Sequence, residues 1–353
     1  MAKIITVLDL GSRRIAAAMA ELTADGGFRI LALENTNSNG IDRGCVVDMG
    51  KTVKDISDAM KKVNSRSGQR AKDVMVTIGG ADTKMIAARG MVPLARTPRQ
   101  VTAKDVKRCL DIAAMINLPP DRIGVEKIVR KFYIDGSFSG LKDPVGLYGV
   151  KLEVETFVAT ANCSKIQNIT KCIDHAGFLA NGVYLSCLAS ADSVLDSEER
   201  KNGTLLIDIG SLLTEASIFK DGVLKSFKVV RDGTSTILDG DMQLDPEKFG
   251  WLLDKVSRVS VSGISDFSSI VVTGGGALLG GVIEGAESRF SVPARMGIVR
   301  KTGCKLNSQD AIIHTSTIGL MERMAAAYKN TNSDKNPLRR TFQKIIDVYE
   351  RYF

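Results

Sequence analysis

The stretch LLIDIGSLLTEASIF, residues 205–219, runs an apolar strand into Asp208, turns through Gly210 and returns as a second, alternating strand. A strand ending in a carboxylate and a glycine sets a charge beside bare backbone, as a phosphate-gripping hairpin does. Such hairpins carry several glycines at the turn. Here Ser211, Leu212 and Leu213 follow the single Gly210. Leucine side chains restrict the conformations that a phosphate nest needs, and they crowd the ligand. The hairpin is therefore expected to keep its shape and to grip weakly.

The same pentapeptide occurs near the start. LDLGS at 8–12 matches IDIGS at 207–211 in chemistry, and each lies between two strand-like runs. The recurrence predicts two related halves, each opening with strand, turn, strand; the alternative is a chance likeness of two strand ends. LDLGSRR (8–14) offers the carboxylate of Asp9, the turn residue Gly11, the hydroxyl of Ser12 and two arginines. Asp9 is the candidate for holding magnesium through water, since that ion commonly sits on one or two carboxylates plus phosphate. Neighbouring residues of a strand point to opposite faces, so Arg13 or Arg14, not both, is expected at a phosphate. The second hairpin adds Asp208, Gly210, Ser211 and Thr214. A third signal is VVTGGGALLGG (271–281), in which Gly274, Gly275 and Gly276 end a buried strand and open a helix. Bare backbone there admits a ligand closely, and a helix N-terminus favours negative charge. A plain strand–helix turn is the competing reading. No Gly-Lys-Ser/Thr follows, so it is no Walker A loop.

Bulk composition narrows the partners. The 353 residues are long enough for two cores, and the net charge of +8 suggests an anionic partner such as a lipid surface, a nucleotide or a nucleic acid. Aromatics make up only 5% and no basic stretch is interleaved with them, which sets nucleic acid aside. The six cysteines form no C-x-x-C pair and there are two histidines, so a zinc site is not expected and the thiols read as reduced and cytosolic. Asp9, Arg13 and Arg14 interrupt the first apolar run, which excludes a signal peptide, and no run of 18 apolar residues occurs.

Between the hairpins, VVDMGKTVKDISDAMKKV reads as a strand end and a helix with Val53, Ile56, Met60 and Val63 inward. VMVTIGG (74–80) reads as a buried strand. Residues 82–160 differ in character: a strand, a helix with Thr102 and Asp105 at capping-box spacing and Pro119 as its stop, then two more strands. A helix with Ser164 as N-cap and Gly177 at its end follows, with His175 in the last turn as a capping residue. In the second half, Asp221-Gly222 reads as a hairpin turn. Residues 234–267 hold one helix, with Trp251 as a core anchor.

Two Asp-x-Gly hairpins followed by a triple-glycine turn resemble the actin-like ATPase superfamily. NGIDRGCVVDMGKTVKDI (39–56), LKDPVGLYGVKLEVETFVAT (141–160) and QNITKCIDHAGF (167–178) narrow the resemblance to FtsA, the bacterial actin homologue that tethers the FtsZ ring to the membrane. The resemblance covers most of the chain. It implies an α/β, duplicated ribonuclease H-like (actin-like) two-domain ATPase fold with an FtsA-type α+β insert. The implied parts are 1–81 with 161–199, an SHS2-like insert at 82–160, 200–233 with 268–328, a shortened insert at 234–267, and a linker at 329–336. It implies ATP and magnesium at the hairpins, weakened or lost here, and little or no hydrolysis. Its implied partners are the FtsZ C-terminal peptide, further copies of the chain in filaments, other division proteins and an anionic membrane. The implied place is the cytoplasmic face of the bacterial inner membrane at the septum. Residues 234–267 are shorter than the family's second-half subdomain, which puts FtsZ docking in question. An actin-superfamily small-molecule kinase and a PilM-like pilus-assembly module are the alternatives.

Residues 337–353, PLRRTFQKIIDVYERYF, read as an amphipathic helix opened by Asn336 and Pro337. Leu338, Phe342, Ile345, Ile346, Tyr349 and Phe353 share one side at about 100° per residue. Arg339, Arg340 and Lys344 lie on the other, where they would meet anionic lipid. The polar run KNTNSDKN before it reads as a tether, which a helix docked on its own domain would not need.

Overall fold

The computed structural model describes residues 3–137, 139–259, 267–300 and 306–333. Two five-stranded sheets dominate, and they are built alike. In the first, Lys3–Leu10, Arg14–Leu22 and Phe28–Asn37 form an antiparallel meander, while Asp73–Ile78 and then Leu179–Leu185 extend the sheet in parallel on the other side of Lys3–Leu10. In the second, Thr204–Ile209, Thr214–Lys220 and Val223–Val230 form the meander, and Ser269–Thr273 and Ala294–Met296 extend it in parallel. This is the duplicated actin-like architecture.

The repeat holds to the residue. Asp9 pairs across the parallel ladder with Thr77, and Asp208 pairs with Thr273. Gly11 N–H closes its turn on the Arg14 carbonyl at 3.1 Å, and Gly210 N–H closes on Leu213 at 2.9 Å. The strands read as near-continuous apolar runs because both faces are covered: Ala16 to Ala20 and Leu205 to Ile207 are almost fully buried. Helix Met49–Ser67 lies on the first sheet, capped by the Asp48 carboxylate on Lys51 N–H and ended by Gly68 in the left-handed region. Its buried face is Thr52, Asp55, Ile56, Ala59, Met60 and Val63, so Thr52 takes the place expected for Val53. Asp55 is buried because it accepts Asn39 N–H at 2.7 Å.

Helices Ser186–Val194 and Thr315–Ser333 cross between the two sheets. Gly319 sits at the crossing, and a Cβ there would stand 1.7 Å from the Ala189 carbonyl oxygen. Beside it, Ser193 Oγ donates to the Thr315 carbonyl at 2.8 Å. The second helix runs to Ser333, through residues 329–333 of the stretch read as a tether. Extending an existing helix adds a hydrogen bond per residue without new nucleation, so polar composition alone does not end it.

Lys84–Cys163 separates as a compact unit of its own. Strand Lys151–Asn162 lies between Lys84–Pro93 and Arg122–Ile134, all antiparallel. Helix Ala103–Ala114 covers one face. Its capping box is formed by Thr102 and Asp105, and it ends before the expected stop at Pro119. Arg99 grips Asp105 with two 2.7 Å contacts. The Arg99 guanidinium first, then the Thr102 contacts, holds the Asp105 carboxyl far below its ordinary value. Gly90 lets the helix approach, since a Cβ there would meet the Cys109 carbonyl at 2.1 Å.

Three local readings change. Trp251 is 57% exposed, not a core anchor: on helix Pro246–Ser257 the inward stripe is Phe249, Leu252, Leu253 and Val256, and residue 251 falls opposite it. The helix after the insert begins at Cys163, so Ser164 lies inside it and is not its N-cap. Gly274 to Gly276 open a single 3-10 turn, Gly275–Leu278, and the α-helix begins only at Val282. Leu338, Arg339, Arg340, Phe342, Lys344, Ile345, Ile346, Tyr349 and Phe353 lie outside the described residues. No described helix is long and apolar enough to cross a membrane.

Gly319→Ala tests the crossing. Helix propensity alone would make alanine about 1 kcal/mol better. Overpacking against a backbone oxygen works the other way by about 3 kcal/mol or more. Urea unfolding of the variant is expected to show a net loss of stability.

Candidate functional site

The two Asp-turn hairpins and the glycine turn face one cavity of about 1190 Å³. From the first hairpin it is lined by Asp9, Gly11, Ser12 and Arg13, and Arg14 also reaches it. From the second come Asp208, Gly210 and Ser211, and from the glycine turn Gly274 and Gly275. Two of the sequence-predicted residues are not part of the lining. Thr214 is fully buried and its Oγ1 donates to the Asp232 carbonyl at 2.8 Å. Gly276 packs against Ile209, where a Cβ would stand 2.3 Å from Cγ2.

Both aspartates are held by hydroxyls from the crossing helices. Asp9 accepts from Thr77 Oγ1 at 2.9 Å and from Ser316 Oγ at 2.8 Å. Asp208 accepts from Ser190 Oγ at 3.3 Å. Ser190 Oγ in turn lies 3.2 Å from Thr315 Oγ1, which lies 3.1 Å from Thr273 Oγ1. A chain of hydroxyls thus links the helices to the sheet ends that carry the carboxylates. Burial, and then the nearby charge of Asp9, push the Asp208 carboxyl up to about 6. Arg14 stands against this cluster with its Nη2 donating to the Ile313 carbonyl at 3.0 Å. His314, fully buried beside Asn35 at 3.1 Å, is pushed down to about 3 by burial and by Arg14, so it stays neutral.

The second turn is clamped from outside. The Gly210 carbonyl accepts Thr234 N–H at 2.8 Å, and the Ser211 carbonyl accepts Ser235 N–H at 3.0 Å. No residue of 11–13 or of 210–213 has a positive φ, so neither turn has the alternating conformation of an anion nest. Leu212 and Leu213 line the cavity, as do the apolar residues Leu238, Met242, Leu278 and Leu279. The lining also includes Lys54, Lys61 and Lys62 from helix Met49–Ser67, which no sequence motif announced.

Among the described residues, no three His, Cys, Asp or Glu side chains come together as a direct metal cage. Each oxygen of Asp9 accepts one hydroxyl and Asp9 lines the cavity, which suits a magnesium ion held through water.

Residues 80–160 match the family described as the SHS2 domain inserted in FTSA. The chain is 32% identical to the cell division protein FtsA of Pseudomonas aeruginosa over 65% of its own length and 54% of the relative's. It is 25% identical to FtsA of Neisseria meningitidis over 94% of its length and 92% of the relative's. Over nearly its whole length the chain is similar to FtsA. The Pseudomonas match spans about half the length of that relative. Among solved structures it resembles the PilM-PilN type IV pilus biogenesis complex, with a TM-score of 0.61 at 14% identity over 91% of this chain and 98% of that one. It also resembles the ethanolamine utilization protein EutJ from Carboxydothermus hydrogenoformans, with a TM-score of 0.52 at 12% identity over 92% and 90%. At these identities the likeness is one of fold.

Asp208→Asn tests the burial of charge at the site. The folded carboxyl titrates near 6 against an ordinary 3.8, so its stability is full below the ordinary value and is lost as pH rises through about 6. The asparagine variant should gain on the wild type between those two pH values and hold its lead above them. The lead is at most about 3 kcal/mol, trimmed by solvent screening at the cavity wall. Thermal unfolding across this pH window measures it.

Proposed function

We propose that this FtsA-like chain is a scaffold that tethers the FtsZ ring to the cytoplasmic face of the cell membrane at the septum, and that it binds nucleotide weakly or not at all. The observation that carries the reading is the FtsA-type SHS2 insert, residues 80–160, set into a duplicated actin-like core.

The nucleotide half of the proposal rests on the second turn. There Leu212 and Leu213 follow the glycine and line the cavity, where the first turn presents Ser12 and Arg13. ATP with magnesium would meet Asp9, Ser12 and Arg13 at the first hairpin and the bare backbone of Gly274 and Gly275. It would find little grip at Gly210 and Ser211. Replacing Leu212 and Leu213 by glycine should raise ATP affinity about tenfold or more, read by isothermal titration. Tight magnesium-dependent binding by the unaltered chain would contradict the proposal.

The tethering half rests on residues 337–353 and on the relatives. Vesicle co-sedimentation of a chain truncated before Asn336 should show loss of binding to anionic lipid, and salt should weaken the binding of the full chain. Pelleting of the truncated chain to the same extent would reject the helix as anchor. Pull-down with the FtsZ C-terminal peptide tests the partner directly, with retention expected. Filaments on a lipid monolayer, seen by electron microscopy, are the expected form of self-association.

A further inference from the structure

Glu215 follows the second turn by two residues and lines the cavity. It is 8% exposed and reaches across to the first half of the molecule. Ser186 Oγ donates to its Oε2 at 2.6 Å, and Gly80 N–H donates to its carboxyl. The Ile78 carbonyl, 3.0 Å from the same hydroxyl, is the weaker acceptor, because a carboxylate draws a shorter, charge-assisted bond. The Lys165 ammonium is set against the carboxylate as well, and it donates to the Gly79 carbonyl at 2.7 Å and to Asp82 at 2.8 Å. Glycines leave the room for this cluster. A Cβ at Gly79 would overlap Glu215 Oε1, and one at Gly80 would overlap the Lys165 ammonium.

The first-half partners sit at one place in the chain. Gly79 to Asp82 lead out to the insert, which begins at Lys84, and Lys165 lies just after the return at Ser164. The Lys165–Asp82 pair therefore ties the outgoing connection to the incoming one, with the lysine side chain almost wholly buried. A carboxylate from the second half is fastened to that tie.

We infer that Glu215 is a positioning residue that couples the second turn of the cavity to the root of the insert. A displacement of the turn Gly210–Leu213 passes along strand Thr214–Lys220 to its second residue. From there one ionised carboxylate carries it to Ser186, Gly80 and Lys165. Such coupling needs an unbroken run of packed and bonded groups, and these contacts supply one. Asp208 opposite on one neighbouring strand repels the charge, and Val229 on the other is neutral. Burial first, and Asp208 after it, raise the Glu215 carboxyl up to about 7, against the pull of Ser186, Lys165 and Gly80. The coupling does not rest on the cavity's holding a nucleotide.

The test is amide hydrogen exchange of the full chain by NMR, without nucleotide, at pH 8, where Glu215 is ionised. Thr83 is the informative amide, because its N–H bonds the Gly80 carbonyl at 3.0 Å rather than Glu215. Glu215→Ala should quicken Gly80 and Thr83 about tenfold or more, with buried Leu206 and Leu110 exchanging as in the wild type. Lys165→Met should act in the same direction, and the two changes together should fall short of the sum of their effects. The coupling itself is read by replacing Leu212 and Leu213 with glycine, which loosens the turn. That pair should quicken Thr83 when Glu215 is present and leave it unchanged in Glu215→Ala. Glu215→Gln, which keeps the size and loses the charge, gives the same comparison where alanine fails to fold. A Thr83 amide that ignores the glycine pair, or responds to it equally with and without Glu215, overturns the inference.

Discussion

The structure depends on two helices that touch backbone to backbone. At Gly319 there is no space for a side chain, because the Ala189 carbonyl already occupies it. This contact sets how Ser186–Val194 and Thr315–Ser333 cross, and the crossing sets everything at the cleft floor. Ser190 and Thr315 meet there, Ser316 reaches Asp9, and Ser186 reaches Glu215. Interiors packed this closely do not yield gradually, so a shift at the crossing moves each of these hydroxyls together. The carboxylates stay at the sheet ends because these hydroxyls meet them. Without such partners, buried carboxylates would be strongly disfavoured.

The fold was legible in the sequence to the extent that it repeats. LDLGS and IDIGS mark the same point in two sheets, and the Thr102–Asp105 spacing marks a capping box that forms. Asp221 and Gly222 both have positive φ, as the hairpin between Thr214–Lys220 and Val223–Val230 requires. Trp251 was misread although its helix announced it: an inward stripe at 249, 252, 253 and 256 leaves 251 facing out. Residue size was allowed to outweigh phase. Helix ends were the other weak point, at Ser164, Pro119 and the run after Tyr328, because caps compete with propagation over a residue or two.

The site was legible only where it lies on the hairpins. Asp9 and Asp208 stand out in sequence because each ends an apolar strand. Thr77, Ser186, Ser190 and Ser316, which hold the carboxylates, do not stand out. They are ordinary hydroxyl residues within or beside helices and strands, brought in from 68 to 307 positions away in the cases of Thr77 and Ser316. Only the crossing assembles them.

Glycine in the two hairpins is a poor guide to phosphate. A Cβ at Gly11 would stand 2.8 Å from the Arg14 carbonyl oxygen, and one at Gly210 would stand 3.0 Å from that of Leu213. Each turn therefore requires its glycine simply to close, whatever the cavity holds. The positions after the glycine are under no such constraint. The first turn carries Ser12 and Arg13 there; the second carries Ser211, Leu212 and Leu213. The backbone closes identically in both, so the difference between them is a difference in what faces the cavity. A turn that had only to connect two strands would tolerate leucine, and a turn that had to wrap a triphosphate would not. Asp9 and Asp208 follow a different logic. Strand closure does not need a buried carboxylate, and an uncharged residue would remove the burial penalty that raises the Asp208 carboxyl. Their presence ties the floor of the cavity to charge, and the leucines bear on only one of its walls.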